Sequence, residues 1–136
     1  MPLRERDLTG PVASYFRDLG YAVFGEVEIA GRWADLVAVS EREVVAVELK
    51  VSAWREAIRQ AMAYQLGADR AYVAMPLAEA HGAYRGRFAF EREGVGLIAV
   101  DDLNRVRVVL APMASPRKLP PLTDLLRRIA PAPSGG

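Results

Sequence analysis

The chain has 136 residues, 51% apolar and 26% charged, with a net charge of +1. That is the size and composition of one globular domain able to bury its own core, with no strong overall field for a polyanion. No cysteine is present and His81 is the only histidine. Disulfides, thiolate nucleophiles, Cys-based metal sites and multi-histidine centres are therefore excluded, which leaves carboxylates, lysine, arginine and hydroxyls to carry any chemistry.

The first twenty residues carry charges every few positions and have no apolar h-region. No stretch approaches the ~20 apolar residues of a membrane span, so a cytoplasmic protein without membrane contact is expected. Apolar residues at 12, 15, 16 and 19 mark one helical face, with Pro11 in the first turn and Gly20 as a left-handed stop. Residues 21–29, 33–39 and 44–51 read as strands joined by turns at Ala30-Gly31-Arg32 and at 40–43, an antiparallel meander. Ser52 is the expected N-cap of a helix through Trp54, Ala57, Ile58, Ala61 and Leu66, stopped at Gly67. Residues 71–75 form a short strand ended by Pro76, and the right-handed crossover rule makes it parallel to the third. Two further strands are expected at 94–100 and 105–110 around Asp101-Asp102-Leu103-Asn104, while 78–93 receives no element. Six of the nine prolines lie from 112 to 133. Residues 112–136 therefore read as a proline-rich arm beyond a domain at 1–111, with a helical piece at 122–129 and disorder over 130–136. The expected fold is α/β, with an α-β-β-β-α-β core, a mixed central sheet flanked by helices, and extra C-terminal strands.

Three polar residues interrupt the apolar second and third strands. Asp35 sits in Trp-Ala-Asp-Leu-Val-Ala-Val, and Glu48 and Lys50 sit in Val-Val-Ala-Val-Glu-Leu-Lys. Glu48 and Lys50 share a face by strand alternation. If the turn centres on Glu41-Arg42, paired positions sum to 83 and Asp35 lies opposite Glu48. Two carboxylates there repel one another unless a hard divalent cation such as Mg²⁺ takes oxygen ligands from both. The bland alternative is a Glu48–Lys50 salt bridge at a strand end. Lys50 also stands out by type, since only Lys50 and Lys118 of the 18 basic residues are not arginine. Trp33 and Trp54 are candidates either for base stacking or for packing at a core edge. Arg55 and Arg59 are candidates for phosphate contact or a solvated helix face, and His81 is expected at the surface.

Asp35, Glu48-Leu49-Lys50 and the helix carrying Gln60-Ala-Met-Ala-Tyr64 together resemble the PD-(D/E)XK nuclease superfamily, whose core has the same α-β-β-β-α-β order. Gln60 and Tyr64 look like the Gln-x-x-x-Tyr motif of RecB-type members, over roughly residues 5–76. The resemblance implies a restriction-endonuclease-like fold and Mg²⁺-dependent hydrolysis of DNA phosphodiesters, with Mn²⁺ as a substitute, in repair, recombination or defence. Asp35, Glu48 and the Leu49 carbonyl would hold the metal. Lys50 would activate water and stabilise the phosphate, and Gln60 and Tyr64 would flank the site. Glu5 is the candidate additional acid, with Glu26 and Glu28 as rivals. DNA is the implied partner, a homodimer would cut both strands, and the C-terminal arm is a candidate docking segment for a protein partner. The rival readings are a non-catalytic nucleic-acid-binding or regulatory module of this fold, or a nuclease subunit active only in a complex.

Overall fold

In the computed structural model, which describes residues 3–133, the apolar runs assemble into one six-stranded mixed sheet with helices on both faces. A 3₁₀ turn (Glu5–Leu8) runs into α1 (Thr9–Asp18), and Gly20, at φ +93°, makes the left-handed exit. Strands β1 (Ala22–Ile29), β2 (Arg32–Val39) and β3 (Val44–Leu49) follow as an antiparallel meander. Helix α2 (Trp54–Tyr64) then crosses over to β4 (Arg70–Pro76), which pairs parallel to β3. Helices α3 (Leu77–Arg85) and α4 (Arg87–Glu93) lead to β5 (Gly96–Val100), parallel to β4. Strand β6 (Val106–Leu110) closes the sheet antiparallel, and α5 (Pro120–Ile129) ends the chain. The strands lie in sequence order, β1 to β6.

All six residues of β3 are buried, as a central strand covered on both faces requires. Its odd positions Val45, Val47 and Leu49 pack with Leu8, Val12 and Phe16 beneath α1. Its even positions Val44 and Ala46 pack with Tyr64 of α2 and Leu126 of α5 on the other face.

Several expectations change. The expected peripheral strands, β5 and β6, are full members of the central sheet. Residues 78–93, left without an element, form the two short helices α3 and α4. Gly86 separates them, and the space a Cβ would need there is taken by the Trp54 ring. Ser52 is not the N-cap of α2: Ala53 holds that position at φ +52° with no side-chain cap.

The expected arm packs back onto the domain. Leu126 and Ala130 are buried, and Thr123 Oγ1 donates to the Gly67 carbonyl at 2.8 Å. The Ser115 and Leu119 amides donate to the Asp69 and Leu66 carbonyls, each at 2.8 Å. Lys118 pairs with Asp69 at 2.7 Å, and Arg127 donates to the Ser40 carbonyl at 2.9 Å. Of the stretch expected to be disordered, Ala130 is in the core, and 134–136 lie outside the described residues. Among the described residues no helix is long and apolar enough to cross a membrane.

Candidate active site

The β2–β3 ladder keeps the register summing to 83 from Val39↔Val44 to Leu36↔Val47 and stops there. Beyond that point β2 stays paired with β1 as far as Arg32, while β3 stays paired with β4 as far as Leu49↔Ala74. Two neighbouring central strands therefore part at Asp35 and Glu48. The β1–β2 ladder has an irregularity at the same level. Gly25↔Leu36 and Val27↔Ala34 flank an unpaired Glu26 and Asp35, and Glu26 sits at φ +53°.

Strand alternation slips at this step. Leu36 packs in the α1-side cluster, whereas Ala34, two residues away, packs in the opposite one. Asp35 thus belongs to neither face, and its carboxylate Oδ2 accepts the Leu49 N–H at 2.8 Å. In extended backbone the N–H and C=O of one residue point to the same strand edge, so the Leu49 carbonyl opens toward Asp35 as well.

Glu48 is only 8% exposed. Tyr64 Oη donates to Glu48 Oε1 at 2.6 Å and lies 2.9 Å from the Trp33 carbonyl, so α2 is tied to both parting strands. Asp35 and Glu48 lie close enough for the charge of each carboxylate to bear on the other. Burial, and then the negative charge of Asp35, push the Glu48 carboxyl up from 4.5 to about 7, against the opposing pull of the Tyr64 hydroxyl and the Lys50 charge. Burial also raises Asp35, with the charges of Glu5 and Glu26 adding to it, while the Leu49 N–H opposes the shift. Burial and the carboxylate it serves raise Tyr64, which keeps its hydroxyl a donor.

Lys50 remains on the ladder through its N–H to the Ala74 carbonyl at 3.0 Å. Its half-buried side chain makes no ion pair among the described residues, with Glu48 or any other acid. The other lysine, Lys118, is paired with Asp69. The bland salt-bridge alternative is therefore not formed, and the unpaired ammonium stands on the same face of β3 as Glu48. Gln60 lies one turn before Tyr64 on the same face of α2, and its enclosed Oε1 has no hydrogen-bond partner.

The other candidates divide. Glu5, half-buried on the 3₁₀ turn, and Glu26 bear on Asp35 by charge, whereas exposed Glu28 lies opposite Trp33. Among the described residues no group of three or more His, Cys, Asp or Glu side chains is placed to hold a metal ion. Trp54 packs on Phe90 with ring centroids 5.8 Å apart, whereas Trp33 is 62% exposed. Arg55 and Arg59 line a groove against α4, and His81 is exposed on α3. Sequence reasoning missed the Leu49 amide and the Trp33 carbonyl, because backbone groups carry no residue-type signal.

Two carboxylates, with a backbone carbonyl open to the same gap, form an all-oxygen donor set. Mg²⁺ is commonly held by one or two carboxylates with water completing its octahedron, so the residues present fit that ion without a third acid. A second polar cluster, at the opposite end of β3, is closed by contrast. Tyr21 Oη donates to Glu43 Oε1 at 2.7 Å, and Arg70 spans Glu43 and the Pro112 carbonyl. That cluster satisfies itself and serves the strand connection.

No family model, curated protein or solved structure matches this chain.

Proposed function

We propose that this protein is a Mg²⁺-dependent nuclease that hydrolyses phosphodiester bonds of DNA, with a restriction-endonuclease-like core of the PD-(D/E)XK type. One observation carries the reading. Asp35 and Glu48 meet where β2 and β3 part, beside a lysine that has no ion-pair partner among the described residues. Buried like charges at a strand break are costly, and a cation site accounts for them where a structural role does not.

When bound, the divalent ion supplies positive charge to both carboxylates, acidifies a water and draws off charge from a phosphate oxygen. Asp35 is held in place for this by the Leu49 amide, and Glu48 by the Tyr64 hydroxyl; such outer contacts fix ligand orientation. The Lys50 ammonium, a compact movable donor, orients the attacking water and stabilises the charge that grows on the phosphate. Water adds its oxygen to phosphorus and gives up a proton to solvent, one P–O ester bond breaks, and the leaving alkoxide takes a proton from solvent. Gln60 lies one turn before Tyr64 with its enclosed Oε1 unpartnered, a polar group on the helix face that carries the Glu48 contact.

The test offers supercoiled, linear, single-stranded and branched DNA to purified protein with Mg²⁺ or Mn²⁺, beside Lys50→Ala. Metal-dependent cleavage should fall at least ~100-fold in the variant with the melting temperature little changed, because the Lys50 side chain makes no hydrogen bond or ion pair among the described residues. Cleavage that survives in Lys50→Ala would remove the proposal. Metal binding without cleavage of any substrate would point to a subunit that needs a partner.

A further inference from the structure

The face of the helical layer next to this site carries arginines and exposed aromatic rings that the catalytic reading does not use. Helices α2 and α4 run side by side with a groove of about 390 Å³ between them, lined by Arg55, Arg59, Met62, Ala89, Arg92 and Glu93. The one acid in that lining, Glu93, is already neutralised by Arg117 at 3.0 Å. Arg55 and Arg59 have no carboxylate partner among the described residues, and Arg92 has only a long contact with Glu93, at 3.5 Å.

At its upper end the groove meets Trp54, over which the Arg55 guanidinium lies at 4.1 Å. The Trp54 ring abuts Gly86, and beyond Gly86 the Arg87 guanidinium lies 4.9 Å from the Tyr84 ring and 5.5 Å from the Phe88 ring. Phe88 is 72% exposed and Tyr84 42%. Trp54 follows Lys50 by four residues, so chain length alone keeps the backbone at the Trp54 end of the strip within roughly 14 Å of the lysine backbone.

Resting on the phosphodiesterase reading, we propose that this strip is the track for an unpaired strand leading to the catalytic notch, with bases stacked on Phe88 and Tyr84 and phosphates on Arg55, Arg59 and Arg87. An uncompensated basic groove fits a polyanion. Exposed rings capped by guanidinium groups fit the faces of bases. A duplex keeps those faces stacked within itself, so the rings select single-stranded nucleic acid. The track also resolves how a chain of net charge +1 engages DNA, since the positive charge is local.

Fluorescence anisotropy of labelled oligothymidylate in EDTA measures this binding without catalysis. The single strand should bind more tightly than a duplex of the same length. Phe88→Ala should weaken it roughly 5- to 100-fold, the range that one base–aromatic stack carries. Arg59→Ala should lower the slope of log affinity against log salt by about 0.7, the value for one phosphate contact on a single strand. Phe88 is exposed, so an unchanged melting temperature separates lost binding from lost folding. Equal affinity for both substrates, or binding untouched by both substitutions, overturns the track; metal-dependent cleavage persisting alongside would leave the nuclease standing. Selective binding that both substitutions weaken, with neither cleavage nor Mg²⁺ binding, upholds the track and overturns the nuclease. If Phe88→Ala instead dissolves a self-association seen by sedimentation while oligonucleotide binding persists, the patch is a protein interface and the track fails.

Discussion

Glu48→Gln should stabilise the metal-free protein at neutral pH, by an amount the site itself sets. The Glu48 carboxyl is raised in the fold from 4.5 to about 7, so between those values the folded state holds a proton that the unfolded chain has lost. Stability is then fully present below about pH 4.5, falls as pH rises toward 7, and is level above it. At 1.36 kcal/mol per unit, the fall is about 3 kcal/mol. For a domain of this length that corresponds to roughly 10 °C in melting temperature. Glutamine keeps an acceptor for Tyr64, so that contact survives while the titration disappears. In EDTA, the variant's melting temperature should match the parent's near pH 4.5 and exceed it by roughly 10 °C at pH 8. Mg²⁺ should close that gap by stabilising the parent alone. Thermal melts across this pH range, with and without Mg²⁺, measure both effects. A gap that is constant with pH refutes the raised Glu48 carboxyl, and a pH-dependent gap that Mg²⁺ leaves open refutes the cation site.

Substitutions at three other positions probe the supports of the site and fold. Tyr64→Phe removes the donor to Glu48, so the Glu48 carboxyl should rise further and Mg²⁺ affinity, read by titration calorimetry, should fall about 10- to 100-fold; unchanged affinity would make Tyr64 a packing residue only. Asp35→Asn keeps an acceptor for the Leu49 amide, whereas Asp35→Ala orphans it at a cost of about 1–3 kcal/mol. In metal-free urea denaturation Asn should therefore be the more stable of the two, and the reverse order would show that charge relief outweighs the hydrogen bond. Leu126→Ala, in α5, should cost about 2–5 kcal/mol, measurable as a lower denaturation midpoint, because Leu126 is fully buried; a silent substitution would mean that the C-terminal segment is separable after all.

The strands were legible because period-2 patterning, short turns and one βαβ crossover leave little choice of pairing. The same arithmetic set the 83 register that brings Asp35 toward Glu48. Helices α3 and α4 were hidden by Gly86, which interrupts the helical pattern but is present for the close approach of Trp54. The C-terminal segment was misread from its prolines. Pro120 and Pro121 stand in the first turn of α5, where a missing N–H costs nothing and a fixed φ favours helix. There they begin an ordered element, and the side chains that anchor it, Thr123 and Leu126, bind a partner some sixty residues back in the chain, Gly67, beyond the reach of any local pattern.

The break at Asp35 was illegible for a deeper reason, and it is what makes the site. Had the 83 register continued, Ala34 would lie opposite Leu49, and the two would exchange both backbone hydrogen bonds as a ladder pair. The Leu49 carbonyl would then be spent on the sheet, and Asp35 would point to one face instead of into its plane. The slip in alternation, matched by Glu26 in its left-handed conformation, withdraws β2 from β3 at that step. A carboxylate takes over the Leu49 amide, and the Leu49 carbonyl is released into the gap between two acids. Residue types announced the two acids and the lysine; only the paths of three strands turn them into a place where a cation fits.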